Sequence, residues 1–411
     1  MTGNDADTVS MHYKGSGRFK MHGENAYVYG AAKAAAELYA LAGDSEKSAE
    51  LSALAEEIRA YILEYLWCDK CRMFETRAVE PDSDFIVHNP DKPNLIPYKE
   101  SNNYNYFSLG VAPTDDESLK KYVDAFRFLA DPEEFPIFPY YTASQRDNKM
   151  CPGSNNFSNI NFTVQLRAYE AALRVYDREH KYVTPEMLSA IVEWCAWNIY
   201  PDGGDVRYPN NSEFFNADRA SDPTGKGDYY RSWIDHNILG NYIFTFVEDM
   251  AGLRPRADGK IELDPIDFGY GHFAVDNLRY HGVDISIIYN GDGAYDKASV
   301  SERGYSLYID GVRAVTTASL CHIIYDPETG EVDLPSGGEL LYSAPTRKLG
   351  AALDIDSFDK RTEELLSRAG ITKLPNLALG AKVTASYTLR SDHYLPETLR
   401  FGNITALPGQ R

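Results

Sequence analysis

The segment "NNSEFFNADRASDPTGKGDYYRSWIDH", residues 210–236, sets one carboxylate, Glu213, behind two asparagines and a serine and ahead of Phe214 and Phe215. It closes on Tyr230, Arg231 and Trp233. Near the other end, "GNDADTVSMHYKGSG" holds Asp5 and Asp7 in a glycine-flanked stretch. Two carboxyls drawn from distant parts of a chain can cleave a glycosidic bond. One, protonated, donates to the leaving oxygen; the other, ionised, activates a water. In the inverting version they stand about 6.5–9.5 Å apart, so that the water fits. Apolar rings beside a carboxyl raise its pKa or shape the cleft around it. On composition alone, Glu213 reads sooner as a solvated loop residue, and Asp5 and Asp7 sooner as a frayed acidic terminus.

The elements that would have to position such a pair are mostly helical. Residues 24–66 read as a helical hairpin, with Val28, Ala31, Ala35, Leu38 and Ala42 on one face of the first helix. Leu51, Leu54, Ile58, Tyr61 and Tyr65 share a face of the second. Gly43 stops the first helix, and Asp44 or Ser45 caps the next. A short strand is predicted at residues 73–77. Thr114 and Glu117 stand at capping-box spacing before another helix. Longer helices are predicted over 157–178, from the Thr184-Pro185 start to about residue 200, and over 229–251. From about residue 260 the period changes to alternation, as in "VDISIIYN" and "GYSLYIDGVRAVTT", with Asp310-Gly311 as a hairpin turn. The pattern is paired helices with function on the long loops between them.

Composition bounds the partners. The chain has 411 residues, a net charge of −20 and 30 tyrosines. That charge repels a phosphate backbone or an anionic membrane surface, so neither nucleic acid nor membrane is an expected partner. Neutral polyhydroxylated ligands carry no such penalty, and the tyrosine excess leans toward them. No run of 18 apolar residues and no signal peptide is found in this chain. Five cysteines at irregular spacing make no disulfide framework. Cys68-Asp-Lys-Cys71 is half of a zinc site, read as a turn between a helix end and a strand. No metal and no cofactor is expected.

Taken together, "DTVSMHYKGSG", "ENAYVYGAAKAAAELYALAGD", "NNYNYFSLGVAP", "EFPIFPYYTASQ", "GSNNFSNINFTVQLRAYEAALRVY" and "DYYRSWIDHNILGNYIFTFVEDMAGLRPRADGKIELDPI" resemble the catalytic domain of GH63-type (α/α)6-barrel glycosidases. The mannosylglycerate hydrolase and trehalase families are cousins. The resemblance spans roughly residues 1–320. It implies a mainly α six-hairpin toroid over 1–255 and a small antiparallel β-sandwich-like domain over 256–330. Residues 331–375 are read as a linker with a short helix near 360–369. It implies Asp7 as general acid, with Asp5 the alternate, and Glu213 as general base of an inverting glycoside hydrolase on α-linked sugars. Relatives often carry Glu where this chain has Ser10. Trp233, Tyr230, Arg231, Asn155, Asn156 and Tyr104 are the expected contacts to an oligosaccharide or polysaccharide. Six helices are read where such a barrel has twelve, so the expectation is the C-terminal part of a barrel. "LPNLALGAKVTASYT" resembles the start of a discoidin-like (F5/8 type C) module over 376–411, which implies an extracellular parent protein. Two other classes fit the same toroid: a carbohydrate-binding protein without catalysis, and a lyase or isomerase using Tyr or His as proton carrier.

Overall fold

The computed structural model describes residues 19–20, 22–78, 95–96, 99–137, 141, 143–150, 159–199, 214–215, 229–230, 239–295, 302–350, 385–388 and 403–406. Two compact units divide the chain. The first comprises Met1–Leu253, Leu263–Val275 and Tyr289–Arg303, and the second Arg254–Glu262, Asp276–Ile288 and Gly304–Arg411.

The helical unit opens with helices α1 (His22–Leu41) and α2 (Ser45–Tyr65), joined as the sequence predicts. Gly43 adopts φ +82°, which stops α1 without a Cβ penalty. The Asp44 carboxylate then accepts from the Lys47 amide at 3.0 Å and caps α2. The buried faces differ from the expectation. Ala26, Tyr29, Ala32 and Ala36 are buried on α1, with Ala55 and Ile62 on α2, whereas Val28, Leu38 and Leu54 are exposed. Small side chains turn inward here because they let neighbouring backbones approach closely. The size of the apolar side chain was therefore a poor guide to the packed face.

A run of short elements follows. Strands β2 (Trp67–Cys68) and β3 (Met73–Phe74) form a hairpin with Trp67 opposite Phe74. Helix Asp116–Tyr122 is capped by Asp115, one residue later than predicted, whose carboxylate accepts from the Ser118 amide at 3.1 Å. The longer helices run Asn159–Ala171, continued by a π-helical turn Ala172–Tyr176, and Pro185–Ile199. The predicted helix over 229–251 begins later. Tyr229–Tyr230 is instead a strand paired with Phe214–Phe215, and helix Leu239–Phe244 runs on into a π-helical stretch Thr245–Met250.

Aromatic rings fill the core of this unit. Phe74 lies 4.5 Å from Tyr106, and Phe107 lies 4.9 Å from Phe126 and 5.0 Å from Tyr176, centroid to centroid. The tyrosine hydroxyls find backbone carbonyls. Tyr104 donates to Ala125 at 3.0 Å, Tyr169 to Leu129 at 3.0 Å and Tyr176 to Ala112 at 2.6 Å. Part of the tyrosine excess therefore serves the core.

The exit from the last helical stretch is fixed by backbone contacts. The Asp264 amide donates to the Gly252 carbonyl at 2.7 Å, and the Ile266 amide to that of Asp249 at 2.8 Å. Gly252 has φ +76°, and a Cβ there would stand 2.4 Å from the Pro265 nitrogen. That nitrogen is a backbone atom, so it does not yield cheaply. Gly252→Ala is expected to cost about 2–3 kcal/mol, measured as a lowered urea midpoint at unchanged slope.

Beyond residue 252 the described residues form antiparallel strands, most of them in the second unit. One sheet has the order β10 (His272–Tyr280), β11 (Val283–Asn290), β12 (Gly304–Ile309), β13 (Val312–Thr317) and β16 (Leu340–Ser343). The predicted Asp310-Gly311 turn joins β12 to β13 with φ +48° and +78°, the positive pair that a two-residue hairpin turn demands. A second sheet has the order β15 (Val332–Asp333), β14 (Ile323–Tyr325), β9 (Ile261–Leu263) and β8 (Leu253–Arg254). Strands β15 and β16 lie where a linker was expected from residue 331, because Gly330, Gly337 and Gly338, all at positive φ, read in sequence as loop residues yet mark turns between strands. The helix expected near 360–369 lies outside the described residues. Strands β17 (Ala385–Thr388) and β18 (Asn403–Ala406) pair with each other. Among the described residues no helix is long and apolar enough to cross a membrane.

Candidate functional site

Asp5, Asp7, Asn155, Asn156, Glu213, Arg231 and Trp233 lie outside the described residues. The backbone of Tyr230 is placed: it pairs with Phe214, while Tyr229 pairs with Phe215. This ladder joins the residue that follows Glu213 to the residue that precedes Arg231. Tyr104 is fully buried and its hydroxyl is committed to the Ala125 carbonyl. It packs in the core of the helical unit. Its place in an Asn- and Tyr-rich stretch resembled a cleft loop, but the stretch forms a 3₁₀ turn, Ser101–Tyr104, and a helix, Asn105–Ser108, that face inward.

Residues 99–100, ahead of the stretch "NNYNYFSLGVAP" (102–113), lie against residues 134 and 143–147, in and after "EFPIFPYYTASQ" (134–145). Glu100 bridges to Ala143, the Ser144 amide donates to the Lys99 carbonyl at 2.9 Å, and the Gln145 amide to that of Glu134 at 2.8 Å. Lys99 sits between two buried carboxylates. Its ammonium lies 2.8 Å from Asp147 and 3.6 Å from Glu134, and its amide also donates to Asp147 at 2.8 Å. The Ser144 hydroxyl donates to Glu134. A buried charge is tolerated when paired and fully hydrogen-bonded. These carboxylates are held by fixed donors and lock the two segments together. The asparagines work the same way. The Asn103 side chain accepts from the Glu100 amide at 2.6 Å and donates to the Phe74 carbonyl, and Gly23 of α1 is packed so close to Asn102 that a Cβ would stand 3.0 Å away.

A second polar cluster escaped the sequence reading. Helix Asn159–Ala171 carries Glu170, which is buried, and the π-helical stretch Thr245–Met250 carries Asp249. Burial first, and the neighbouring Asp249 second, push the Glu170 carboxyl up to about 8. The Thr245 hydroxyl donates to it at 3.2 Å and Arg167 reaches it at 3.2 Å. Arg174 meanwhile binds Asp249 at 2.8 Å. The signal was present as Arg174 four residues after Glu170, with "VEDM" downstream, but apolar periodicity hid it. A carboxyl whose folded pKa is raised keeps its proton in the native state. Stability is therefore highest at low pH and is lost as the pH rises from about 4.5 toward 8. Glu170→Gln keeps the shape and cannot ionise. We expect it to flatten the stability-versus-pH curve, recovering about 2–4 kcal/mol at pH 8 relative to pH 5. Urea denaturation at the two pH values checks this; parallel curves for the two proteins would contradict it.

Residues 3–148 match the family model described as the mannosylglycerate hydrolase MGH1-like glycoside hydrolase domain. The matched residues resemble that domain. The match takes in the Asp5 and Asp7 stretch, the α1–α2 hairpin and the Lys99 clamp; Glu213 and the strands after residue 250 lie beyond it in sequence. Among solved structures, a sialidase is similar with a TM-score of 0.60 at 19% identity, covering 76% of this chain and 27% of that one. At that identity the likeness concerns the fold alone. The chain spans about 27% of the sialidase's length. A GH78 family rhamnosidase of Bacillus sp. GL1 matches with a TM-score of 0.42 at 15% identity, covering 68% of this chain and 24% of that one.

Proposed function

We propose that this protein is a glycoside hydrolase acting on α-linked sugars with inversion, by single displacement. The observation that carries the reading is the MGH1-like match over residues 3–148, which contains the acidic stretch before the first hairpin. Asp7, protonated, donates to the leaving oxygen, with Asp5 as the alternate donor. Glu213, ionised, takes a proton from the water that attacks the anomeric carbon from the opposite face. Tyr230, Arg231, Trp233, Asn155 and Asn156 hold the sugar. The net charge of −20 suits a neutral substrate. A closed six-hairpin toroid is the architecture proposed around this pair. The β17–β18 hairpin is the proposed beginning of a discoidin-like carbohydrate-binding module.

The experiment is proton NMR of the first-formed product anomer across a panel of α-linked disaccharides. The β-anomer is expected first and then mutarotates. A first-formed α-anomer rules out the water-activating role of Glu213, and an unsaturated product without water uptake would mean a lyase.

A further inference from the structure

We propose that Cys68, Cys71 and Glu75 form a binding site for a thiophilic divalent cation, zinc being the natural occupant, with a water as fourth ligand. The two cysteines looked like half a site in sequence; the fold supplies the third ligand. Helix α2 ends at Tyr65, and the chain turns into the β2–β3 hairpin, whose turn carries Cys71. Arg72 takes φ +56°, a left-handed turn conformation, and its amide donates to the Cys68 carbonyl at 2.8 Å. That turn aims the Cys71 amide at the Cys68 sulfur, 3.3 Å away. Beyond the hairpin, the Glu75 amide donates to the Leu66 carbonyl at 2.8 Å, which brings its carboxylate back beside the sulfurs. The ligand atoms of the three residues all lie within 4.8 Å of one another. Tetrahedral zinc with sulfur at about 2.3 Å needs sulfur–sulfur separations of about 3.8 Å, so only a small closure is required.

The surroundings support a built site. Cys68 and Glu75 are buried, while Cys71 is half-buried and leaves a way in. The hairpin rests on a rigid aromatic floor, with Trp67 5.0 Å from Phe74 and 4.7 Å from Tyr122. Thiolate ligands select zinc, cadmium or cobalt over magnesium or calcium. Binding displaces the thiol protons into solvent, and the bound ion ties the end of α2 to the hairpin. The proposal does not depend on the proposed Asp7 and Glu213 chemistry.

The test uses the full chain, reduced and stripped of metal with a chelator, and titrated with Co²⁺. We expect a thiolate-to-cobalt charge-transfer band in the near ultraviolet that saturates at one equivalent and is bleached by Zn²⁺. Cys71→Ser should abolish the band, and Glu75→Gln should weaken cobalt binding by at least about tenfold. Cys195→Ser and Cys321→Ser should leave it intact. Cys71 is only half-buried, so its serine variant should fold, which far-ultraviolet circular dichroism verifies. Absence of the band in the unmodified chain overturns the proposal. So does a band that survives Cys71→Ser, or a thiol count showing that Cys68 and Cys71 re-form a disulfide instead of binding the ion.

Discussion

Glu213→Gln is expected to lower turnover on an α-linked disaccharide by on the order of 10³-fold while leaving KM within a few-fold. Glutamine keeps the size and the hydrogen-bonding oxygen, so the sugar still binds; what is lost is the oxygen that takes the water's proton. The loss should hold whatever the leaving group, because water attack is needed in every case. Asp7→Asn should behave differently. A protonated acid matters most when the departing oxygen is a poor leaving group. Nitrophenyl glycosides, whose phenolate departs unaided, should therefore be largely spared while disaccharides are not. The contrast separates the two roles in one experiment. Equal losses on both substrate types for Asp7→Asn would take the acid role from it, and unchanged turnover in Glu213→Gln would take the base role from Glu213. If Asp5 is the donor, the leaving-group contrast moves to Asp5→Asn.

The legibility of this chain followed the locality of its signals. Gly43 and Asp44 announce a helix stop and a cap because both act within one turn of backbone, and both are seen in those roles. Asp310-Gly311 announces its hairpin for the same reason. What failed depended on distant partners. The buried face of α1 is chosen by what packs on it, and alanines won over Val28 and Leu38. Tyr229–Tyr230 became a strand because Phe214–Phe215 lies opposite. Strands β15 and β16 were lost among glycines. Glu75 joined the cysteine pair only through the return of the chain after a hairpin, a placement that no spacing rule records.

The largest stability effect should come from Arg174. Its guanidinium donates to the Asp249 carboxylate at 2.8 Å, to the Asp264 carboxylate at 3.0 Å and to the carbonyls of Asp264 and Glu248, both at 2.9 Å. It is carried on the π-helical turn Ala172–Tyr176. One side chain thus ties that turn to the last helical stretch and to the chain leaving it. Asp249 is only 2% exposed, and Glu170 beside it is the poorer place for a second negative charge. Arg174→Met keeps the aliphatic stem and removes every donor. It strands a buried carboxylate and two carbonyls, so we expect a loss of about 3–5 kcal/mol at pH 7. Asp249→Asn in the Arg174→Met background should recover a large part of the loss, since the stranded charge is what makes the single variant costly. Urea denaturation of the four proteins of this cycle reads both numbers. A loss under about 1 kcal/mol in the single variant, or no recovery in the double, would mean that water reaches Asp249 and that the network carries little of the stability.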